Sequence, residues 1–201
     1  MASRPAIGFN ARMEERISWF PIADRSALSS EAAELFDVLH EKLGFVPNVF
    51  RAYAWKGPKR FDHWRGHFED LMEGSPGLSK AEREMISVVV SMANNCLYCL
   101  VAHGFAVRAL LKDPVKGDRV TLDYRRAGLD ERQLAMLDYA VKITRTPAEC
   151  SEADIEALRG HGFNDEDIWD IAEVAAMFNF TNRLASATGM MPNPEYHNMA
   201  R

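Results

Sequence analysis

The sequence predicts an all-α protein. Apolar residues recur at helical spacing through most of the chain, the periodic segments open near Ser, Asp or Asn and are punctuated by Gly or Pro, and no alternating segments flank an Asn-Gly or Asp-Gly turn. A chain of 201 residues suits one domain with a core of its own. The expected division is an N-terminal arm over 1–28, a helical domain over 29–192 and a C-terminal tail over 193–201.

Residues 1–28 lack clear periodicity and carry Pro5, Gly8 and Pro21, which suits an arm ordered only against a neighbour. Ser29 or Ser30 caps a first helix, Glu31 to Leu43, with Ala32, Leu35, Val38 and Leu39 at helical spacing. Gly44 ends it, and Phe45-Val46-Pro47-Asn48 turns into a further helical run from Val49. Lys59 to Met72 continues as helix, with Phe61, Trp64, Phe68, Leu71 and Met72 on its apolar face. Gly74-Ser75-Pro76-Gly77 is a break. Ser79 stands three residues before Glu82, a capping box opening a helix at Lys80. Val88-Val89-Val90 would also suit a buried strand, but the cap, the length and the charged first turn favour helix. Asn94-Asn95 interrupts, and a helix follows from about Cys96 to Leu111. Further helices are expected over Glu131 to Thr144, Ser151 to His161 and Asn164 to Ala187. A faint internal echo overlays Ser91–Gly104 on Ala176–Gly189, with four identities: Met92/Met177, Asn94/Asn179, Ala102/Ala187 and Gly104/Gly189. Read as a repeat, it would be two helical hairpins of which only the first holds chemistry.

Composition narrows the function. The net charge is −5 with no long basic block, which disfavours nucleic acid and anionic membrane surfaces as partners. No run of about 18 apolar residues is present, and residues 1–20 lack the apolar core of a secretory signal, so the cytoplasm is the expected location. Three cysteines, Cys96, Cys99 and Cys150, do not make a disulfide scaffold. In a reducing compartment the close pair Cys96/Cys99 calls for reactivity, metal or chance as its explanation.

Glu84, Cys96, Cys99 and His103 form the candidate site. Cys96 and Cys99 are three apart and Cys99 and His103 four apart, so one helix presents all three on one face. The break at Asn94-Asn95 puts both cysteines in a helical first turn, where free amides and the helix dipole favour thiolate. If the chain reverses at residues 93–95, Glu84 lies about ten residues before the turn and His103 about nine after it. An antiparallel hairpin then brings them level. Glu84 can orient His103, and His103 can take a proton from Cys99, the nucleophile, base and orienter of an activated thiol. Two thiolates, an imidazole and a carboxylate could instead hold zinc, although no second Cys-X-X-Cys or His pair follows at finger-like spacing.

The pattern of Glu84, eleven residues, Cys96-Leu97-Tyr98-Cys99, three residues and His103 resembles the active site of the alkylhydroperoxidase D-like proteins of the carboxymuconolactone decarboxylase superfamily. The Leu43-Gly44-Phe45-Val46-Pro47-Asn48 turn and the stretch from Phe178 to Ala185 resemble its peroxidase-related branch. The resemblance runs from about Leu35 to Pro192. It implies an alkylhydroperoxidase D-like helical fold with a central antiparallel hairpin carrying the Cys-X-X-Cys site, a homo-oligomer, and hydroperoxide reduction without a cofactor. Cys99 would match the peroxide-attacking cysteine, Cys96 its resolving partner, and His103 with Glu84 the proton relay. An external dithiol would restore the pair. One departure stands out: better-studied members carry His directly before the second cysteine, where this chain has Tyr98, so a simpler relay is expected. Decarboxylase members lack the cysteine pair and fit poorly. The alternative from another class is a redox-sensing or zinc-binding module built on the same four residues.

Other features read more plainly. His63 and His67 are four apart but interleave with Trp64 and Phe68, which suits a half-exposed helix face better than a metal pair. Cys150 reads as an inert thiol. Trp169, Ile171, Val174, Met177 and Phe178 read as core or subunit interface, and Asp37, His40, Glu41 and Lys42 as a solvated face. Met190-Met191 and Tyr196-His197 lie in a Pro-rich tail suited to packing on another subunit.

Overall fold

The computed structural model describes residues 16–73 and 77–201, and all regular structure among the described residues is helical. In order these are α1 (Ser30–Leu43), α2 (Asn48–Ala54), α3 (Pro58–Glu73), α4 (Lys80–Ala93), α5 (Leu97–Leu111), α6 (Pro114–Asp123), α7 (Glu131–Arg145), α8 (Glu152–Gly160) and α9 (Asp165–Thr188), with short 3₁₀ turns between some of them. Residues 1–15 of the expected arm and the Gly74-Ser75-Pro76 break lie outside the described residues.

Helix α4 is the central strut, packed against α5, α6, α7 and α9. Its capping box forms as expected: Ser79 Oγ accepts the Glu82 amide at 3.2 Å, and the Glu82 carboxylate accepts the Ser79 amide at 2.8 Å. Val88, Val89 and Val90 are completely buried within it. Each β-branched residue costs a helix a few tenths of a kcal/mol, whereas burying a valine side chain contributes about 1.5 kcal/mol or more, so packing decides. Arg83, also fully buried, donates to Leu71 O and pairs with Asp170 at 2.6 Å.

The turn after α4 is tight. Asn95 takes a left-handed conformation (φ 53°), which asparagine tolerates better than most side chains, and the Cys96 amide closes the turn on Ser91 O at 2.9 Å. Helix α5 therefore returns antiparallel along α4.

Helix α6 is not among the expected elements, although Asp113 caps it through the Lys116 amide and Pro114 occupies its first turn. It crosses α5 closely at Gly117, where an added Cβ would lie 2.9 Å from Arg108 Cα. The internal echo is not a repeated hairpin. Its second copy runs inside the continuous α9, capped by Gly189, whereas the first spans the break after α4. The matched residues Asn94 and Asn179 are hydrogen-bonded to each other at 3.0 Å.

Both described ends fold onto the same chain. The Trp19 amide donates to Thr188 O, and the Met191 amide to Ile17 O. Tyr196 is buried against Phe45 and Phe105, and buried Arg108 donates to Tyr196 O and Met199 O. Met190 and Tyr196 thus pack within their own chain. Trp169, by contrast with Ile171, Val174, Met177 and Phe178, is exposed.

Candidate active site

The α4–α5 hairpin brings Glu84 and His103 together: His103 Nδ1 lies 2.7 Å from Glu84 Oε2, with both side chains largely buried. Edge-on contact with Phe178, at 4.7 Å between centroids, fixes the imidazole plane. Nε2 is left as the ring nitrogen free for proton transfer. Glu84 is held in turn by Ser87, whose hydroxyl reaches its main-chain oxygen at 2.7 Å and its carboxylate at 3.2 Å.

Cys96 is the N-cap of α5 and Cys99 lies in its first turn; both are buried. The helix terminus does not act alike on the two thiols: Cys96 is lowered and Cys99 raised. The Cys99 thiol donates to Cys96, and this bond, helped by the Cys99 amide and Ser186, holds Cys96 down at about 6 against the opposing effect of burial. The same bond, together with burial and the negative charge on Cys96, pushes the Cys99 thiol well above its ordinary value. Two adjacent buried thiolates repel, so the two thiols do not ionise together, and the bond between them favours the charge on Cys96.

The two sulfurs belong to different openings. Cys99, His103, Glu84 and Tyr98 line a cleft of about 200 Å³, whose other walls include Phe50, Phe68, Phe105 and Phe178. Cys96 lines a separate groove with Trp19, Leu97, Ser186 and Met190. The cleft is therefore apolar, apart from the groups that could move a proton.

A buried polar chain lies behind the cysteines. Ser91 Oγ donates to Ser87 O at 2.6 Å, Asn182 Nδ2 donates to Ser91 Oγ at 3.0 Å, and Asn94 Nδ2 donates to Asn182 Oδ1 at 3.0 Å. The Asn182 amide also faces Cys99 and opposes the upward push on its thiol. Sequence reasoning does not single out Ser87, Ser91, Ser186 or Tyr53, which belongs to the same packed cluster as the pair. Asn182 stands there only as part of the stretch from Phe178 to Ala185. Tyr98 is buried, and its oxygen accepts the Val49 amide at 3.0 Å, so it pins the start of α2 at the edge of the cleft.

Among the described residues no cluster of three or more His, Cys, Asp or Glu side chains could hold a metal ion. His63 and His67 are exposed on α3, and Cys150 is half-buried near Tyr139 and Lys142. No helix among the described residues is long and apolar enough to cross a membrane.

Comparison with known proteins converges on one group. The carboxymuconolactone decarboxylase family model matches residues 58–121, from the start of α3 into α6. An uncharacterized peroxidase-related protein from Silicibacter sp. TM1040 is 52% identical, with TM-score 0.89 over 96% of this chain and 100% of that one. A second, from Ralstonia eutropha JMP134, described as an alkylhydroperoxidase AhpD core, is 45% identical, with TM-score 0.88 over 92% of this chain and 97% of that one. Alkyl hydroperoxide reductase AhpD from Nocardia farcinica (strain IFM 10152) is 34% identical over 89 residues, 43% of this chain and 49% of that protein. The match thus spans about half of that relative's length.

Proposed function

The chain belongs to the alkylhydroperoxidase D-like, peroxidase-related proteins of the carboxymuconolactone decarboxylase family, and on that premise we propose that it is a cofactor-independent thiol peroxidase acting on organic hydroperoxides. The observation that carries this reading is the convergence of Cys99, His103 and Glu84 on one apolar cleft. An alkyl group suits the aromatic walls, and the peroxide oxygens would sit at the Cys99–His103 end.

Cys99, neutral at rest, gives its proton to His103 as the peroxide arrives, and its sulfur attacks one peroxide oxygen. The O–O bond breaks, Cys99 becomes a sulfenic acid, and the departing alkoxide takes the proton back from His103 Nε2. Glu84 stabilises the imidazolium that forms in between. Cys96, already a thiolate at neutral pH, attacks the Cys99 sulfur, closing a disulfide and releasing water with one proton from solvent. An external dithiol then restores both thiols. The low value at Cys96 suits a resolving nucleophile that needs no base of its own, and the raised value at Cys99 is the reason an imidazole is required.

The reading places the protein in a reducing compartment such as the cytoplasm. The exposed side chains of Phe20, Trp55 and Phe180, which border one cavity, support the expected homo-oligomer. Steady-state consumption of tert-butyl hydroperoxide in the presence of a dithiol tests the activity. Turnover that is lost in both Cys96→Ser and Cys99→Ser is expected. Reversible disulfide formation without turnover would favour the redox-sensing alternative instead.

A further inference from the structure

Tyr53, on α2, has a buried hydroxyl with no hydrogen-bond partner among the described residues. The residue is 9% exposed and belongs to the same packed cluster as Cys96 and Cys99, and both sulfurs act electrostatically on its phenol. Stacking on Trp64, at 3.8 Å between ring centroids, holds the ring in place. Buried hydroxyls without a partner are rare and costly, and one kept beside a redox pair points to a partner that forms in another state of that pair. Tyr98, another phenol near the sulfurs, already accepts the Val49 amide. Burial pushes the Tyr53 phenol upward, so it stays protonated and keeps an O–H to donate.

We propose that the Tyr53 hydroxyl is the hydrogen-bond donor to the oxygen of the Cys99 sulfenic acid and that it speeds closure of the disulfide. This rests on the peroxidase reading above. The resting pair offers Tyr53 no oxygen. Once a peroxide has oxidised Cys99, an acceptor has been added to the cluster that holds the unused donor. In the closure step Cys96 thiolate forms a bond to the Cys99 sulfur, the S–O bond breaks, and its electron pair leaves on the oxygen. Solvent supplies the proton that makes water. Cys96 is oxidised and the Cys99 sulfur reduced to the disulfide level. Charge grows on the departing oxygen, where a positioned donor in a buried site is most effective. Tyr53 does not line the Cys99 cleft but the neighbouring cavity across Trp64, so it is placed apart from the first leaving group, the alkoxide facing His103.

The test is rapid mixing of the reduced full-length protein with tert-butyl hydroperoxide, with dimedone trapping and mass spectrometry to separate sulfenic acid from disulfide. In Tyr53→Phe the first oxidation is expected within about twofold of wild type and closure slowed about 10-fold or more, with more dimedone adduct on Cys99. The melting temperature should be unchanged or higher, because the hydroxyl removed had no partner. Replacement of Tyr53 by 3-fluorotyrosine, a stronger donor of nearly the same shape, is expected to speed closure. Wild-type closure rates in folded Tyr53→Phe, or equal slowing of both phases, would overturn the proposal. A wild-type protein that forms no sulfenic acid at Cys99 would instead remove the peroxidase reading beneath it.

Discussion

Replacing Glu84 by Gln removes one charge and almost no volume from the centre of the α4–α5 hairpin. The substitution puts a neutral amide in place of the carboxylate in a 2.7 Å hydrogen bond to imidazole whose side chains are 14% and 17% exposed. At that burial solvent screens the charge only partly, and a charge-assisted hydrogen bond contributes about 1.5–3 kcal/mol, roughly half of which a neutral amide keeps. The carboxylate matters most when His103 carries the proton taken from Cys99, so the effect falls on the rate of peroxide attack. At about 1.4 kcal/mol per factor of ten, the second-order rate constant with tert-butyl hydroperoxide should fall roughly 3- to 12-fold. Ser87 still reaches the main-chain oxygen of residue 84, so the urea midpoint should move little. Stopped-flow oxidation and urea titration of the same preparation separate the two effects. A folded Glu84→Gln protein that reacts within twofold of wild type would refute the assignment of Glu84 and His103 to proton transfer.

Cys96 should be the thiol that alkylates first. Its value lies below that of a free cysteine, so its reactivity toward iodoacetamide should rise as pH climbs through about 6 and level off above it, while Cys99 stays slow. In Cys99→Ala the principal hydrogen bond to Cys96 is gone and the inflection should move up; an unmoved inflection would contradict the shared-charge description. Asn182→Ala removes a fully buried amide that bonds Ser91 and Asn94, and should cost about 2–3 kcal/mol of stability by urea unfolding; a loss below about 0.5 kcal/mol would mean that water replaces the amide at no cost. Tyr98→Phe leaves the Val49 amide without its acceptor, so amide hydrogen exchange should rise at the start of α2 while the rate of peroxide attack changes less than in Glu84→Gln. The reverse ranking would make Tyr98 part of the relay.

The hairpin and the Glu84–His103 pair are legible in the sequence because both follow from counting. A capping box fixes where α4 begins, Asn94-Asn95 fixes where it ends, and equal distances from a turn bring two residues level in antiparallel helices. The division of charge between Cys96 and Cys99 is not legible, since it depends on which sulfur accepts the bond between them and on groups from α4 and α9 that are distant in sequence. Ser91 and Asn182 carry no local signal: a buried serine in α4 reads as helix filler until α9 is laid across it. Helix α6 escapes a periodicity reading because Val115, Val120 and Leu122 are the only large apolar side chains among its ten residues, even though Asp113-Pro114 is a sound start signal. The echo between Ser91–Gly104 and Ala176–Gly189 misleads in the opposite sense, since matching residues at matching spacing do not say whether the chain turns between them.

Stopped-flow oxidation of the reduced protein by an organic hydroperoxide, comparing wild type with Cys99→Ser and followed by peptide mass spectrometry, tests the central claim most directly. The expected result is fast, stoichiometric formation of a Cys96–Cys99 disulfide that disappears in the variant, with sulfenic acid found on Cys99 when closure is blocked by Cys96→Ser. Oxidation no faster than that of a free thiol, or fast oxidation that survives Cys99→Ser with the oxygen on Cys96, would contradict it.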